Sequence, residues 1–278
     1  MINHCLYPVA GFGTRFLPVT KTVAKELLPI LDKPLLQYAI EESYNCGILN
    51  HHFIVNKYKK AIQDYLSPHP YLDNLILGTP KEQKLLKINE IIKKCNFTFF
   101  DQAQMLGLGH AILQSEEGLK TNSFAVVLPD DLCFNKGKSV IQQLIDVSNT
   151  NPDKCIVAVE EVGMQEVSKY GVIDGFIDSE NKNIIKVSKM VEKPNIEEAP
   201  SNLAIIGRYV LTPEIFGHLK KVKPDRNGEI QITDALKELA KKEKVIAIKF
   251  EGKRIDCGSV KGFIEANNYF LSQSKENS

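Results

Sequence analysis

Over roughly its first 130 residues the chain alternates strand-like and helix-like segments, and this alternation constrains the fold more than any other feature. Residues 5–10 read as a short strand running into the turn Gly11-Phe12-Gly13, with Pro8 leaving its ladder incomplete. Residues 34–46 read as a helix: Pro34 suits its first turn, Leu35, Leu36, Ala39 and Ile40 share a face, and Gly47 can end it. A strand at 52–55, a helix at 58–66, a charged amphipathic helix at 81–94, a strand at 97–100, a helix at 109–117 and a fully apolar strand at 123–128 follow. Residues 67–80, with Pro68, Pro70 and Gly78, read as an irregular connection. Strands separated by helices call for a parallel-type sheet covered on both faces. Beyond residues 156–159 the rhythm changes to shorter strand-like runs at 171–173, 184–187 and 204–211, then helices at 229–242 and 262–271, which reads as a mixed sheet region. Without a linker or an internal repeat, residues 1–271 are expected to form one α/β domain, with 272–278 a frayed polar tail.

The strand-to-turn passage at Gly11-Phe12-Gly13-Thr14-Arg15 resembles the start of a dinucleotide fingerprint but fails at the third glycine. Phe16 stands where close helix packing needs Gly or Ala, and Pro18 breaks the helix on which a pyrophosphate would rest. A nicotinamide oxidoreductase is therefore disfavoured, and no Walker A sequence occurs. Arg15, Lys21 and Lys25 crowd the same segment, so backbone donors and cations gather as a triphosphate requires; a solvated basic loop is the plain alternative. Asp130 and Asp131 follow the apolar strand at the end where α/β sheets bind ligands, unless they only shape a turn. Asp256, between an apolar stretch and Gly258, is a second candidate carboxylate; with bound phosphates, two carboxylates would suit Mg²⁺. Gln102 offers both donor and acceptor to a base edge. Gly107 and Gly109 read as loop glycines, His110 as a residue of a helix start, and Glu192-Lys193 as an exposed ion pair.

Composition closes off other classes. The 278 residues are 43% hydrophobic with a formal net charge of +1, which argues against a nucleic-acid partner needing a broad basic field. The six scattered cysteines read as small buried hydrophobes in a reducing compartment. With no signal-peptide pattern and no apolar run long enough to span a bilayer, the chain reads as a cytoplasmic protein without a membrane partner. Only Arg15, Arg208, Arg226 and Arg254 interrupt an otherwise all-lysine set of basic side chains. They are expected where a planar, permanently charged fork is needed.

Together these segments resemble the sugar-nucleotide pyrophosphorylases from Cys5 to about Asn267. The resemblance rests on residues 10–18, on 25–29 with 32–34, and on 107–111, 170–173, 191–194, 201–209, 228–235 and 256–259. It implies a Rossmann-like α/β/α sandwich with a mixed, mostly parallel central sheet, its N-terminal half binding nucleotide and residues from about 151 to 260 binding sugar. It implies UTP and glucose 1-phosphate as substrates, UDP-glucose and pyrophosphate as products, Mg²⁺ as cofactor, and a homodimer or homotetramer. By the same resemblance Ala10, Gly11 and Gly13 would line the nucleotide, Arg15 and Lys25 would hold its phosphates, and Gln102 would read the uracil beside Gly107. Asp130 and Asp256 would hold the metal, Gly171, Glu192 and Asp131 the glucose hydroxyls, and Lys193 the sugar phosphate. Ala24 and Asp101 depart from the family, which usually has proline and arginine there. A sister enzyme taking dTTP or another sugar 1-phosphate, and a non-catalytic homologue of the same fold, remain the alternatives.

Overall fold

The computed structural model describes residues 2–276. Among them run β1 (His4–Pro8), β2 (Pro29–Ile30), β3 (Lys33–Pro34), β4 (Asn50–Val55), β5 (Asn96–Asp101), β6 (Phe124–Val127) and β7 (Asp131–Phe134). They are followed by β8 (Cys155–Glu161), β9 (Gly171–Ile177), β10 (Ile184–Glu192), β11 (Leu203–Leu211), β12 (Val245–Lys249) and β13 (Lys253–Asp256). Nine of these strands share one sheet in the order β5-β4-β1-β6-β11-β8-β12-β10-β9, so the strands of both halves of the chain are hydrogen-bonded into a single layer.

The β5-β4-β1-β6 half is parallel throughout, as the strand–helix alternation requires. Antiparallel pairing takes over from β11 onward, interrupted only by the parallel β12–β8 pair. The sheet therefore has four parallel and five antiparallel pairings, and the expected predominance of parallel pairing holds only on the N-terminal side. The cause is β11: it runs opposite to β6 and β8, and its first residues also pair with β9.

Apolar clusters cover both faces. One packs Leu36, Ala39 and Ile40 of helix Leu35–Asn45, Ile88 and Ile91 of helix Gln83–Lys94, and Leu144 of helix Val140–Thr150 against the sheet. The other packs helices Gly107–Leu113, Glu214–Leu219 and Ile232–Ala240 on the opposite face. Each fully buried leucine or isoleucine in these layers contributes about 1.5–3 kcal/mol. A third, smaller cluster joins Ile30, Leu132, Ile255 and Ala266, binding the β7–β13 ribbon to helix Val260–Glu276.

Strands β7, β12 and β13 and helix Glu214–Leu219 were not anticipated from the sequence, and three further segments differ from expectation. The supposedly irregular 67–80 contains helix Pro70–Ile76, because Pro70 fits a first helical turn and the His69 ring accepts the Leu72 N–H at 3.2 Å. Helix Val140–Thr150, announced by the Ser139 side chain accepting from Gln142 N–H, was absent from the sequence reading. The expected frayed tail is instead the end of helix Val260–Glu276, and Asn277 and Ser278 lie outside the described residues.

Candidate active site

The carboxyl ends of the parallel strands gather the site. Beyond β1, the Val9 N–H donates to the Ile54 carbonyl at 2.9 Å, and the Asn56 amide donates to the carbonyl of buried Ala10. Gly11 is open on its side-chain face, with nothing within 4 Å of where a Cβ would stand. Gly13 is left-handed (φ 65°), and a Cβ there would lie 3.0 Å from Lys25 Cβ, so glycine serves both the turn and the close approach of Lys25. A single 3₁₀ turn, Thr14–Phe16, follows in place of a long helix, as Pro18 foretold. Phe16 turns inward and meets Phe263 edge to face at 5.8 Å, while Arg15 stays exposed.

Lys25 reaches across to Asp130, its Nζ 2.6 Å from Oδ2. Burial pulls the Lys25 ammonium down, but the charges of Asp130 and Glu26 outweigh it and hold it above its ordinary value. Burial likewise pushes Asp130 up, and Lys25 outweighs it, keeping the carboxyl below the usual range. Asp256 arrives from β13, whose register sets it opposite Asp131, and the Cys257 N–H donates to the Asp130 carbonyl at 2.7 Å. The convergence is clearest at Gly258. A Cβ there would meet Asp256 Oδ1 at 2.9 Å, Asp130 Oδ2 at 3.2 Å and a guanidinium nitrogen of Arg15 at 3.4 Å. Four of the phosphate and metal candidates named from sequence, Arg15, Lys25, Asp130 and Asp256, are thus neighbours in space. Among the described residues no group of three or more acidic, cysteine or histidine side chains forms a protein-only metal cage.

Asp131, one residue on, faces a different compartment. It lines a cavity of about 170 Å³ with Gly171, Glu192, Tyr209, Thr233 and Arg254. Its Oδ1 takes the Arg254 guanidinium at 2.6–2.7 Å and its Oδ2 accepts the Gly207 N–H at 2.7 Å. Burial pushes the Asp131 carboxyl up, Arg254 draws it down, and the charges of Asp130 and Asp256 add to the upward push. Arg254 also binds Glu160 at 2.6 Å and lies over the Tyr170 ring. Gly171 is held without a side chain because a Cβ would lie 2.6 Å from Thr233 Oγ1 and 3.1 Å from Glu192 Oε2. Lys193 stands outside this cavity, on a neighbouring groove shared with Glu192, Asp225 and Arg226. Its Nζ is 3.4 Å from Glu192, and its backbone is left-handed (φ 45°), a conformation that costs a non-glycine residue on the order of 1 kcal/mol.

Beyond the end of β5, the buried Gln102 amide nitrogen lies 2.9 Å from His110 Nδ1 and 3.3 Å from the Gly107 carbonyl; its side-chain oxygen has no protein partner among the described residues. Gly107 (φ 89°) packs on the 225–231 segment, where a Cβ would lie 2.9 Å from Glu229 Cβ. Backbone bonds from Gly109 N–H to the Ile230 carbonyl and from Ile230 N–H to the Leu106 carbonyl, both 2.8 Å, complete that junction. The sequence reading missed Glu160, Tyr209 and Thr233. Residues 204–211 read as a strand, but nothing local announces which face of β11 meets a cavity.

Residues 9–273 match the nucleotidyl transferase family. The chain is 48% identical over 271 residues, 97% of it and 96% of the relative, to a UTP–glucose-1-phosphate uridylyltransferase of Pseudomonas aeruginosa. It is similar to a crystal structure of apo UDP-glucose pyrophosphorylase (TM-score 0.94, 49% identity, covering 99% of this chain and 100% of the other). A UDP-glucose pyrophosphorylase complexed with UDP-glucose is also similar (TM-score 0.90, 48% identity, 98% and 100% covered). A phosphate-type loop, paired carboxylates and a carboxylate-lined cavity on one sheet edge, with likeness along nearly the whole chain, place this protein in the nucleotidyl transferase family.

Proposed function

We propose that this chain transfers the uridylyl group of UTP to α-D-glucose 1-phosphate, giving UDP-glucose and pyrophosphate. The observation that carries this reading is the division at Asp130-Asp131. One carboxylate joins Lys25, Arg15 and Asp256 on the side facing the Gly11–Gly13 loop, and the next faces a small polar cavity with Glu192. Two compartments meeting at adjacent residues suit a reaction in which a triphosphate and a sugar phosphate meet at one phosphorus.

A phosphate oxygen of glucose 1-phosphate attacks the α-phosphorus in line. The bond from that phosphorus to the oxygen bridging towards the β-phosphate breaks, and pyrophosphate leaves with the electron pair. The nucleophile is already anionic, so no general base is required; positioning and charge neutralisation carry the rate. Arg15 and Lys25 supply fixed positive charge, with Lys25 exchanging its Asp130 contact for phosphate oxygens. Ala10, Gly11 and Gly13 line the nucleotide, and the free Gln102 oxygen accepts from a base N–H beside Gly107. Gly171, Glu192 and Asp131 hold sugar hydroxyls, and Lys193 binds the sugar phosphate from the cavity's rim. Asp130 and Asp256 fit Mg²⁺, since two carboxylate oxygens face one glycine-cleared gap without a third acidic ligand, the sparse set this ion takes beside phosphates. Bound there, the metal would supply further charge neutralisation on the phosphate oxygens.

Pyrophosphate release measured with UTP or dTTP, with glucose 1-phosphate, and with Mg²⁺ or EDTA tests the reading: rapid release is expected with UTP and Mg²⁺, and equal or faster release with dTTP would overturn the base assignment. Lys25→Ala is expected to abolish measurable turnover while the fold survives. Near-wild-type kinetics would remove Lys25 from the mechanism.

A further inference from the structure

Tyr209 is held in the core on both sides of β11, opposite Val126 of β6 and Val157 of β8, and only 5% of it is exposed. That small exposure opens into the cavity formed with Asp131, Gly171, Glu192 and Arg254. Its hydroxyl has no protein partner among the described residues, although the charged groups nearest it are Glu192, Asp131 and Arg254. A tyrosine packed this deeply, whose hydroxyl meets no protein partner, depends on water or a ligand from the cavity to complete its hydrogen bonding. The donor inventory of the cavity sharpens the point. Glu192 and Asp131 can only accept, the Arg254 donors face Asp131, Glu160 and Tyr170, and hydroxyls, those of Tyr209 and Thr233 among them, are left to donate. A sugar hydroxyl that donates to one of these carboxylates still needs a donor for its own lone pairs. Burial holds the Tyr209 phenol above its ordinary value, so it keeps the proton to give.

We propose that Tyr209 is a specificity-determining contact, its hydroxyl donating a hydrogen bond to one hydroxyl of the bound hexose. The proposal rests on the reaction proposed above and extends it to a residue deep in the sugar cavity. Because the ring is packed in the core, the hydroxyl is fixed before the sugar arrives, and a sugar lacking the matching oxygen leaves it unpaired.

The test compares wild type and Tyr209→Phe on glucose 1-phosphate and its 2-, 3-, 4- and 6-deoxy analogues, with UTP and Mg²⁺. The variant is expected to raise KM for glucose 1-phosphate about tenfold, in line with one lost hydrogen bond in a dry site. KM for UTP and the melting temperature should not move. One deoxy analogue, handled about tenfold or more worse than glucose 1-phosphate by wild type, should lose that handicap on the variant. An unchanged sugar KM, or equal discrimination by both enzymes at every position, would overturn the contact. A marked fall in melting temperature would also overturn it, by showing that the hydroxyl is held within the protein. A wild-type enzyme inactive on UTP and glucose 1-phosphate would take down the reaction, and the contact with it.

Discussion

Gly258→Ala tests the meeting of Asp130 and Asp256 with the smallest possible change. The glycine's backbone is not in the left-handed region, so the substitution acts through space alone. The new methyl would stand 2.9 Å from Asp256 Oδ1, 3.2 Å from Asp130 Oδ2 and 3.4 Å from an Arg15 nitrogen, while ordinary contact begins near 3.4 Å. Asp256 must therefore move, and its Oδ1 already accepts the Gly258 N–H at 2.8 Å. Asp130 must yield by a few tenths of an ångström against its 2.6 Å contact with Lys25. The fold should tolerate this: losing or stretching one hydrogen bond to a carboxylate and repacking short side-chain tips costs about 1–2 kcal/mol. In a chain of this length that is a fall in melting temperature of roughly 2–6 °C.

Function should suffer far more, because the methyl fills the gap that both carboxylates face. Displacing preorganised charge from a transition state costs about 3–4 kcal/mol, a loss of 10²–10³ in kcat. The assay is pyrophosphate release titrated with Mg²⁺, beside thermal melting of the same sample. A hundredfold slower enzyme needing several-fold more Mg²⁺, with a nearly unchanged melting curve, is expected. Wild-type turnover and Mg²⁺ dependence in a variant confirmed to fold would refute the idea that these two carboxylates share one working site.

Arg208→Met strips a fully buried guanidinium from Glu42, at 2.8 and 3.0 Å, and should cost about 3–5 kcal/mol, lowering the melting temperature by on the order of 10 °C; a shift within 2 °C or so would contradict the pair's structural role. Gly107→Ala forces a Cβ to within 2.9 Å of Glu229 at φ 89°, so it should raise KM for UTP and lower stability by roughly 1–3 kcal/mol, measured by steady-state kinetics and melting. Burial pushes the imidazoles of His51 and His52 down to about 4. Because the unfolded chain takes up protons near 6.5, stability is full at neutral pH and is lost as pH falls from 6.5 towards 4, by up to about 3 kcal/mol per histidine. Melting curves from pH 7 to 4.5 should show the decline, and His52→Gln should reduce it by about half, leaving the His51 share.

Much of this was legible in the sequence, for identifiable reasons. Strand–helix alternation is a local property, so β1, β4, β5 and β6 and the helices between them, Pro70–Ile76 excepted, could be read from periodicity. The turn at Gly11–Arg15 was legible because glycine permits a left-handed turn and Pro18 stops a helix, each by itself. Pairing is not local. Nothing in residues 131–134 or 253–256 states that they form a ribbon, yet the β7–β13 register is what brings Asp256 to Asp130. Gly107 illustrates the same limit. As a bare residue it reads as a loop glycine; in space its lack of a side chain lets the 225–231 segment close over the start of helix Gly107–Leu113. Asp131 was named for sugar binding, and it does line the cavity, but its grip by Arg254 was invisible to a reading that took arginines one at a time.

The arginines explain how adjacent aspartates can serve two compartments. Arg208 comes from β11, at a break in the β11–β8 register, and reaches the back of the 128–131 turn. It bonds the Leu128 and Gly207 carbonyls at 3.1 and 3.0 Å while its other two nitrogens hold Glu42. Arg254 comes from β13 on the other side and fixes Asp131, anchored in turn by Glu160. Gly207 belongs to both arrangements, offering its carbonyl to Arg208 and its N–H to Asp131. A lysine could not replace either arginine, since each binds a carboxylate and at least one further acceptor from a planar fork in fixed directions. Neither side chain need touch a phosphate. By pinning the turn from both sides they oblige Asp131 to face the cavity, and the backbone then leaves Asp130 no direction but towards Lys25. The scarcity of arginine in a lysine-rich chain thus marks two points where a point charge could neutralise but only a fork can orient.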